Sequence, residues 1–142
     1  MPLTSEEKRA RLESVPLFRD CSSQLLDRLA QATSEFEFAA DAPIVQQGQV
    51  GNGLYIVVSG GARIVAGSEE LARIGPGDFF GELSVIDQRP RSASAYAMGD
   101  SVCLALASWD LMAVLEEDPH LAINLLQELA GRLRRADEQL RH

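Results

Sequence analysis

The spacing of apolar positions changes twice along the chain. Up to residue 33 it follows the ~3.6-residue step of helices, from 34 to 107 the two-residue step of strands, and beyond 108 the helical step again. Thr4 with Glu7 forms a capping-box pattern, so a first helix is expected to run to about Ser14, where Pro16 stops it. Leu17 and Phe18 then turn inward. Ser22 or Ser23 caps a second helix carrying Leu25, Leu26 and Leu29 on one face.

In the middle region Phe36 and Phe38 alternate with Glu35 and Glu37 in a strand, and Pro43 opens the next with Ile44 and Val45. Residues 46–53 read as a loop, with glycines at 48, 51 and 53 where side chains would obstruct the bends. Leu54 to Val58 is a continuous apolar strand, which places Tyr55 in the core. Ser59-Gly60-Gly61 turns it into Ala62–Ala66, and Gly67-Ser68-Glu69 turns that into a short strand holding Leu71 and Arg73, the latter read as solvated. Gly75-Pro76-Gly77-Asp78 is another turn, and strands at 92–98 and 102–107 follow. Short strands at this spacing, separated by glycine turns, mean a sandwich or barrel.

Ser108 is expected to cap a helix with Trp109, Met112 and Leu115 facing inward, and Glu116-Glu117-Asp118 to solvate its end. Asp118 and Pro119 then read as cap and first residue of the last helix. Along that helix Ala122, Leu126, Leu129, Leu133, Ala136 and Leu140 fall at alternating steps of four and three, a heptad seam. It can lie on the β region, pair with a second copy, or both. Glu128 with Arg132, and Asp137 with Arg141, are favourable i,i+4 pairs on exposed positions.

Composition narrows the functional classes. With 142 residues the chain has the size of one domain, and a net charge of −8 argues against a nucleic-acid surface. Cys21 and Cys103 are too few for a four-cysteine metal site and read as reduced structural thiols rather than a disulfide. The histidines, His120 and His142, both lie beyond the strands, so a histidine-rich metal site is not expected. No secretory signal follows Met1 and no apolar run reaches membrane-spanning length, so the expected compartment is the cytoplasm.

The stretch with distinctive chemistry is 79–97. Gly81 leaves the backbone open to close approach, and the amides of Leu83 and Ser84 sit at a helix start that favours an anion. Arg91, presented by Pro90, supplies a planar fork for phosphate oxygens. Glu82 cannot hold a phosphate, but it can accept a hydrogen bond from a ribose hydroxyl. No nucleophile–base pair stands nearby, so no enzymatic activity is expected.

These residues resemble the phosphate-binding cassette of cyclic nucleotide-binding domains, found in kinase regulatory subunits, gated channels and catabolite-activator-type regulators. The matching run is Phe80-Gly81-Glu82-Leu83-Ser84-Val85, then Arg91-Ser92-Ala93-Ser94-Ala95-Tyr96-Ala97. A second motif lies upstream: Ile44-Val45, Gly48-Gln49, Gly51, Leu54 to Val57, and Gly60. The resemblance implies a mainly β fold: a jelly-roll-type β roll (double-stranded β-helix) over 34–107, with N-terminal helices (1–33) and two C-terminal helices (108–142) forming one domain. It implies that Arg91 binds the exocyclic oxygens of a cyclic phosphate, that Glu82 takes the 2′-hydroxyl, and that Gly81, Leu83, Ser84 and Ser92 donate amides beside Ala93. The ligand implied is cAMP in preference to cGMP, with no cofactor and no metal. A lid over the base is expected from the last helix, with Leu129, Arg132, Leu133 and Arg135 as candidates. Occupancy would be relayed through that helix to an effector protein the sequence does not identify, with a homodimer through the same helix as a candidate assembly. The alternative is a dimerising or docking module that keeps the fold without binding nucleotide. Regulators of the catabolite-activator type continue into a helix-turn-helix, whereas this sequence stops at His142, so direct DNA binding is not expected.

Overall fold

In a computed structural model, residues 2–141 are described, apart from the side chain of Arg141. The N-terminal helices are α1 (Ser5–Glu13) and α2 (Ser23–Ala32), joined through a 3-10 turn at Pro16–Phe18. Both halves of the capping box form at α1: Thr4 Oγ1 accepts from the Glu7 amide at 3.1 Å, and Glu7 Oε1 from the Thr4 amide at 3.1 Å. Ser22 caps α2.

Eight strands follow: β1 (Ser34–Phe38), β2 (Pro43–Val45), β3 (Gly53–Ser59), β4 (Ala62–Ala66), β5 (Glu69–Ile74), β6 (Phe79–Phe80), β7 (Ser94–Ala97) and β8 (Ser101–Ala107), with helix α3 (Glu82–Asp87) between β6 and β7. They form two antiparallel four-stranded sheets, β1-β8-β3-β6 and β2-β7-β4-β5. This is the β roll the resemblance implies. The chain closes with α4 (Ser108–Glu117) and α5 (Pro119–Arg141).

The continuous apolar run of β3 has a direct physical reason: the strand is covered on both faces. Leu54, Ile56 and Val58 face the helices and join Leu104, Leu106, Phe18 and Leu29 in the main core. Val57 faces the roll interior with Phe80, Ala95 and Cys103. Truncating a fully buried leucine such as Leu104 to alanine would cost about 2–5 kcal/mol.

The expected inward face and cap of α4 are corrected. Trp109 is 70% exposed, and α4 instead buries Leu111 and Val114, with Met112 and Leu115 only partly covered. Trp109 stands about 200° around the helix from Leu111, so burying that face turns it out. Ser108 does not cap α4; Ala107 holds the cap position and the Ser108 amide donates to the Asn52 carbonyl at 2.7 Å. Phe36, on an edge strand, is half exposed. The later strands begin at Ser94 and Ser101 rather than at 92 and 102.

Helix α5 begins as expected. Asp118 Oδ1 accepts from the His120 amide at 2.9 Å. Its N-terminal half docks through Leu121, Asn124 and Leu125, all buried. Arg19 and Asp20 clasp Asn124, at 3.0 and 3.1 Å. The heptad seam does not lie on the β roll: Leu126 and Leu133 are 65% exposed and Leu140 85%, with only Leu129 packed against the core. The Asp137–Arg141 pair and His142 lie outside what the structure describes.

Candidate functional site

Gly81 adopts a left-handed conformation (φ 91°) between β6 and α3, and so turns the chain from strand to helix in one residue. Three residues after α3, Pro90 bridges to Val50, and Arg91 is tied to the β2–β3 loop twice. Its amide donates to the Gln49 carbonyl, and its carbonyl accepts from the Gly48 amide, both at 2.8 Å. The two sequence motifs therefore meet through main-chain bonds at Arg91.

The Arg91 side chain points inward and is 8% exposed. Its Nη2 donates to the Gly53 carbonyl at 3.1 Å, and its Cζ lies 5.9 Å from the Tyr55 ring centre. Among the described residues no carboxylate comes within 4.0 Å of it. Two glycines make room. A Cβ at Gly81 would fall 2.7 Å from Arg91 Nη1, and one at Gly51 would fall 2.7 Å from Cζ and 2.8 Å from Ser84 Cβ. Gly51, Gly81, Ser84 and the guanidinium thus converge on one point. Burial pulls the Arg91 guanidinium below its ordinary pKa, with Tyr55 and then Glu82 pulling the other way. A desolvated cation without a counter-ion lowers its energy when an anion joins it.

Glu82 is 6% exposed, and its charge is met from α5. Arg132 Nη1 donates to Glu82 Oε1 at 2.9 Å, and Nη2 to the Phe79 carbonyl at 2.9 Å. The guanidinium lies over the Phe79 ring, 4.4 Å from its centre, and Nε stands 3.5 Å from Glu128 Oε1. The expected Glu128–Arg132 pair forms, but Arg132 is not an exposed partner; it spans from α5 to the cassette.

The remaining expected site residues are placed unevenly. Ser84 is buried, Leu83 and Ser92 are exposed, and Ala93 is half-buried. Of the four lid candidates, Arg132 reaches the cassette and Leu129 packs against the core, while Leu133 and Arg135 face solvent. Arg73 is exposed and pairs with Glu70 at 3.1 Å, as a solvated strand residue should.

Two residues read as core are not simple core residues. Tyr55 is half-buried, stacks on Phe80 with ring centres 5.4 Å apart, and lines a cavity of about 350 Å³ that Arg91 also lines. Trp109 stands at the same cavity with Phe36 and Val50. The sequence signal for Tyr55 was its place one residue from Leu54 and Ile56, which turns it to the opposite face of the strand; nothing local marked Trp109.

Cys21 and Cys103 are free thiols, each pushed up to about 11, chiefly by burial. Among the described residues no group of three His, Cys, Asp or Glu side chains could hold a metal ion, and no helix is long and apolar enough to cross a membrane.

Comparison with known proteins bears on the family and the fold. A cyclic AMP receptor protein of Thermus thermophilus is 38% identical over 134 residues, covering 91% of this chain and 62% of that protein. A cGMP-dependent protein kinase of Toxoplasma gondii is 32% identical over 115 residues, covering 81% of this chain and 12% of the kinase. The solved regulatory domain of Toxoplasma gondii PKA with cAMP superposes with a TM-score of 0.81 at 26% identity, covering 90% of this chain and 50% of that one. The chain thus spans about three fifths of the receptor protein it matches. The family model of the cyclic nucleotide-binding domain matches residues 35–118, which take in both motifs, the eight strands but for Ser34, and α4, and this chain belongs to that family.

Proposed function

We propose that the chain is a cyclic-nucleotide sensor that takes cAMP in preference to cGMP. Arg91 pairs with the exocyclic oxygens of the cyclic phosphate, and the amides of Gly81, Leu83, Ser84 and Ser92 supply further donors beside Ala93. Glu82 accepts the ribose 2′-hydroxyl. The observation that carries this reading is the buried Arg91 guanidinium, which bonds the Gly53 carbonyl, faces the glycine turn and makes no ion pair among the described residues. The 38%-identical cyclic AMP receptor protein supports the choice of cAMP.

The relay follows from Arg132. Glu82 already holds Arg132, so a sugar hydroxyl arriving at Glu82 changes the balance of the ion pair that ties α5 to the cassette. Two packings of α5, one with the pair intact and one with it redistributed, would be populated according to ligand. Arg132, rather than the exposed Leu133 or Arg135, is the lid residue the geometry favours. Calorimetric titration with cAMP and cGMP tests the reading. Saturable heat is expected for cAMP, with weaker binding of cGMP; a flat titration for both nucleotides removes it.

A second reading is carried by the seam. Leu126, Leu133 and Leu140 leave an apolar stripe on a 23-residue helix, which suits pairing with a second copy of the chain. Sedimentation of Leu133→Asp beside the parent chain tests it. A drop from dimer to monomer is expected, and a parent chain that sediments as a monomer at tens of micromolar contradicts it.

A further inference from the structure

The cavity beside Arg91 is distinct from the glycine turn. None of Gly81, Glu82, Leu83, Ser84, Ser92 or Ala93 lines it. Its walls come from the end of α2, β1, β2, β3, β8, the β2–β3 loop, Arg91 and the first turn of α4. They are apolar at Phe36, Ile44, Val45, Ala105 and Trp109, with Arg91, Gln49 and Asn52 among the polar lining residues. Arg91 is the shared partition. Its Nη1 faces Gly81, while Nη2 bonds the carbonyl of Gly53, itself a lining residue. A pocket with apolar walls and, at one end, one buried guanidinium that makes no ion pair with the described residues has the chemistry of a site for a carboxylate with an apolar body.

The cavity opens to solvent on one side, so its volume sets how much of an occupant it covers. A dry cavity of ~150 Å³ accommodates benzene, so about 350 Å³ covers roughly twelve to fourteen non-hydrogen atoms. A one-ring aromatic acid with a short chain matches that covered volume. We infer that this cavity is a second ligand site, taking a small aryl-alkyl carboxylate whose head meets Arg91 and whose ring lies against Phe36, Val45 and Ala105 beneath Trp109. Because both sites draw on one guanidinium, the carboxylate opposes an anion at the glycine turn, and the opposition is reciprocal. Binding in the cavity is independent of the nucleotide reading; only the opposition rests on it.

Trp109 is the sole tryptophan of the chain and lines this cavity, so its fluorescence comes from one place beside it. The experiment titrates the whole protein with 4-phenylbutyrate and with the uncharged 4-phenylbutanol, exciting tryptophan at its red edge. Amide shifts are followed in parallel by NMR. A saturable change is expected for the acid, with the alcohol and an Arg91→Gln variant each about tenfold to a hundredfold weaker, the loss of one charge-assisted contact. Shifts should centre on Gly53 and Ala105 rather than on Leu83 and Ser84, and Ala105→Phe, which fills the cavity, should abolish them. Adding cAMP should raise the apparent dissociation constant of the acid. The site is refuted if the acid gives no saturable change up to its solubility, if the alcohol binds equally well, or if the shifts map to the glycine turn. Loss of the cAMP effect alone, with acid binding intact, removes the opposition but leaves the cavity site standing; the nucleotide reading falls only if the calorimetric titration with cAMP is flat as well. The acid–alcohol comparison and the shift map use the parent protein, so they decide the matter even if a variant fails to fold.

Discussion

The tight fit of Arg91 between two glycines makes Gly51→Ala a sharp test of the site. The backbone at Gly51 is not left-handed, so an alanine there brings no conformational strain. Its Cβ, however, would sit 2.7 Å from Arg91 Cζ, 3.0 Å from Arg91 Nε and 2.8 Å from Ser84 Cβ. Carbon atoms in contact prefer about 3.5–4.0 Å, so something must move by roughly 1 Å. Ser84 is held in α3, whereas the guanidinium is the end of a long side chain, so Arg91 yields. The overpacking costs about 1–3 kcal/mol of stability. A phosphate contact displaced by that distance loses most of a charge-assisted bond worth about 1.5–3 kcal/mol, which is roughly tenfold to a hundredfold in affinity. Gly99→Ala, in the turn before β8, is the control. Gly99 has φ 67° with nothing within 4 Å of its would-be Cβ, so the change strains the backbone by about 1–2 kcal/mol without touching Arg91. Thermal melts and cAMP titrations of both variants are compared. Both should melt lower, and only Gly51→Ala should bind cAMP more weakly. Equal affinities in folded Gly51→Ala and parent protein would refute the claim that the position of Arg91 matters.

Arg132→Gln leaves Glu82 buried without its ion pair, and should cost about 1–3 kcal/mol after allowance for the partial exposure of Arg132, with faster amide exchange along the second half of α5; unchanged exchange there would sink the latch. Cys21 and Cys103 ionise at about 11 in the folded chain but near the ordinary thiol value when unfolded. The unfolded state therefore loses protons first, and stability should fall as pH rises between those values, a loss that Cys103→Ser should reduce in pH-dependent denaturant melts. Trp109 should show solvent-like emission and strong acrylamide quenching, since it is largely exposed; a blue-shifted, protected spectrum in the monomer would contradict its placement.

The features legible in the sequence are those whose hydrogen bonds close within a few residues. The Thr4–Glu7 box, the Ser22 and Asp118 caps and the Gly75–Asp78 turn all form where expected. The cassette was legible through its two motifs, in which Gly81 marks the strand-to-helix turn and the β2–β3 glycines mark a close approach. What stayed hidden depends on partners far along the chain. Glu82 and Arg132 are 50 residues apart, and no local pattern separates Arg132 from Arg135. Ser108 looks like a cap, but its amide is claimed by Asn52 across the fold. Trp109 carries the composition of a core residue, yet the phase of α4 is set by Leu111 and Val114. The heptad seam is visible as a pattern, but only the docking of Leu121 and Leu125 decides that its outer leucines face away from the β roll.

The account depends on one buried cation meeting one cyclic phosphate. The most direct measurement is the cAMP affinity of Arg91→Ala beside that of the parent chain, by calorimetry, with a melt to establish that the variant is folded. The account predicts a loss of roughly tenfold to over a hundredfold. A folded Arg91→Ala that binds cAMP as tightly as the parent would contradict it.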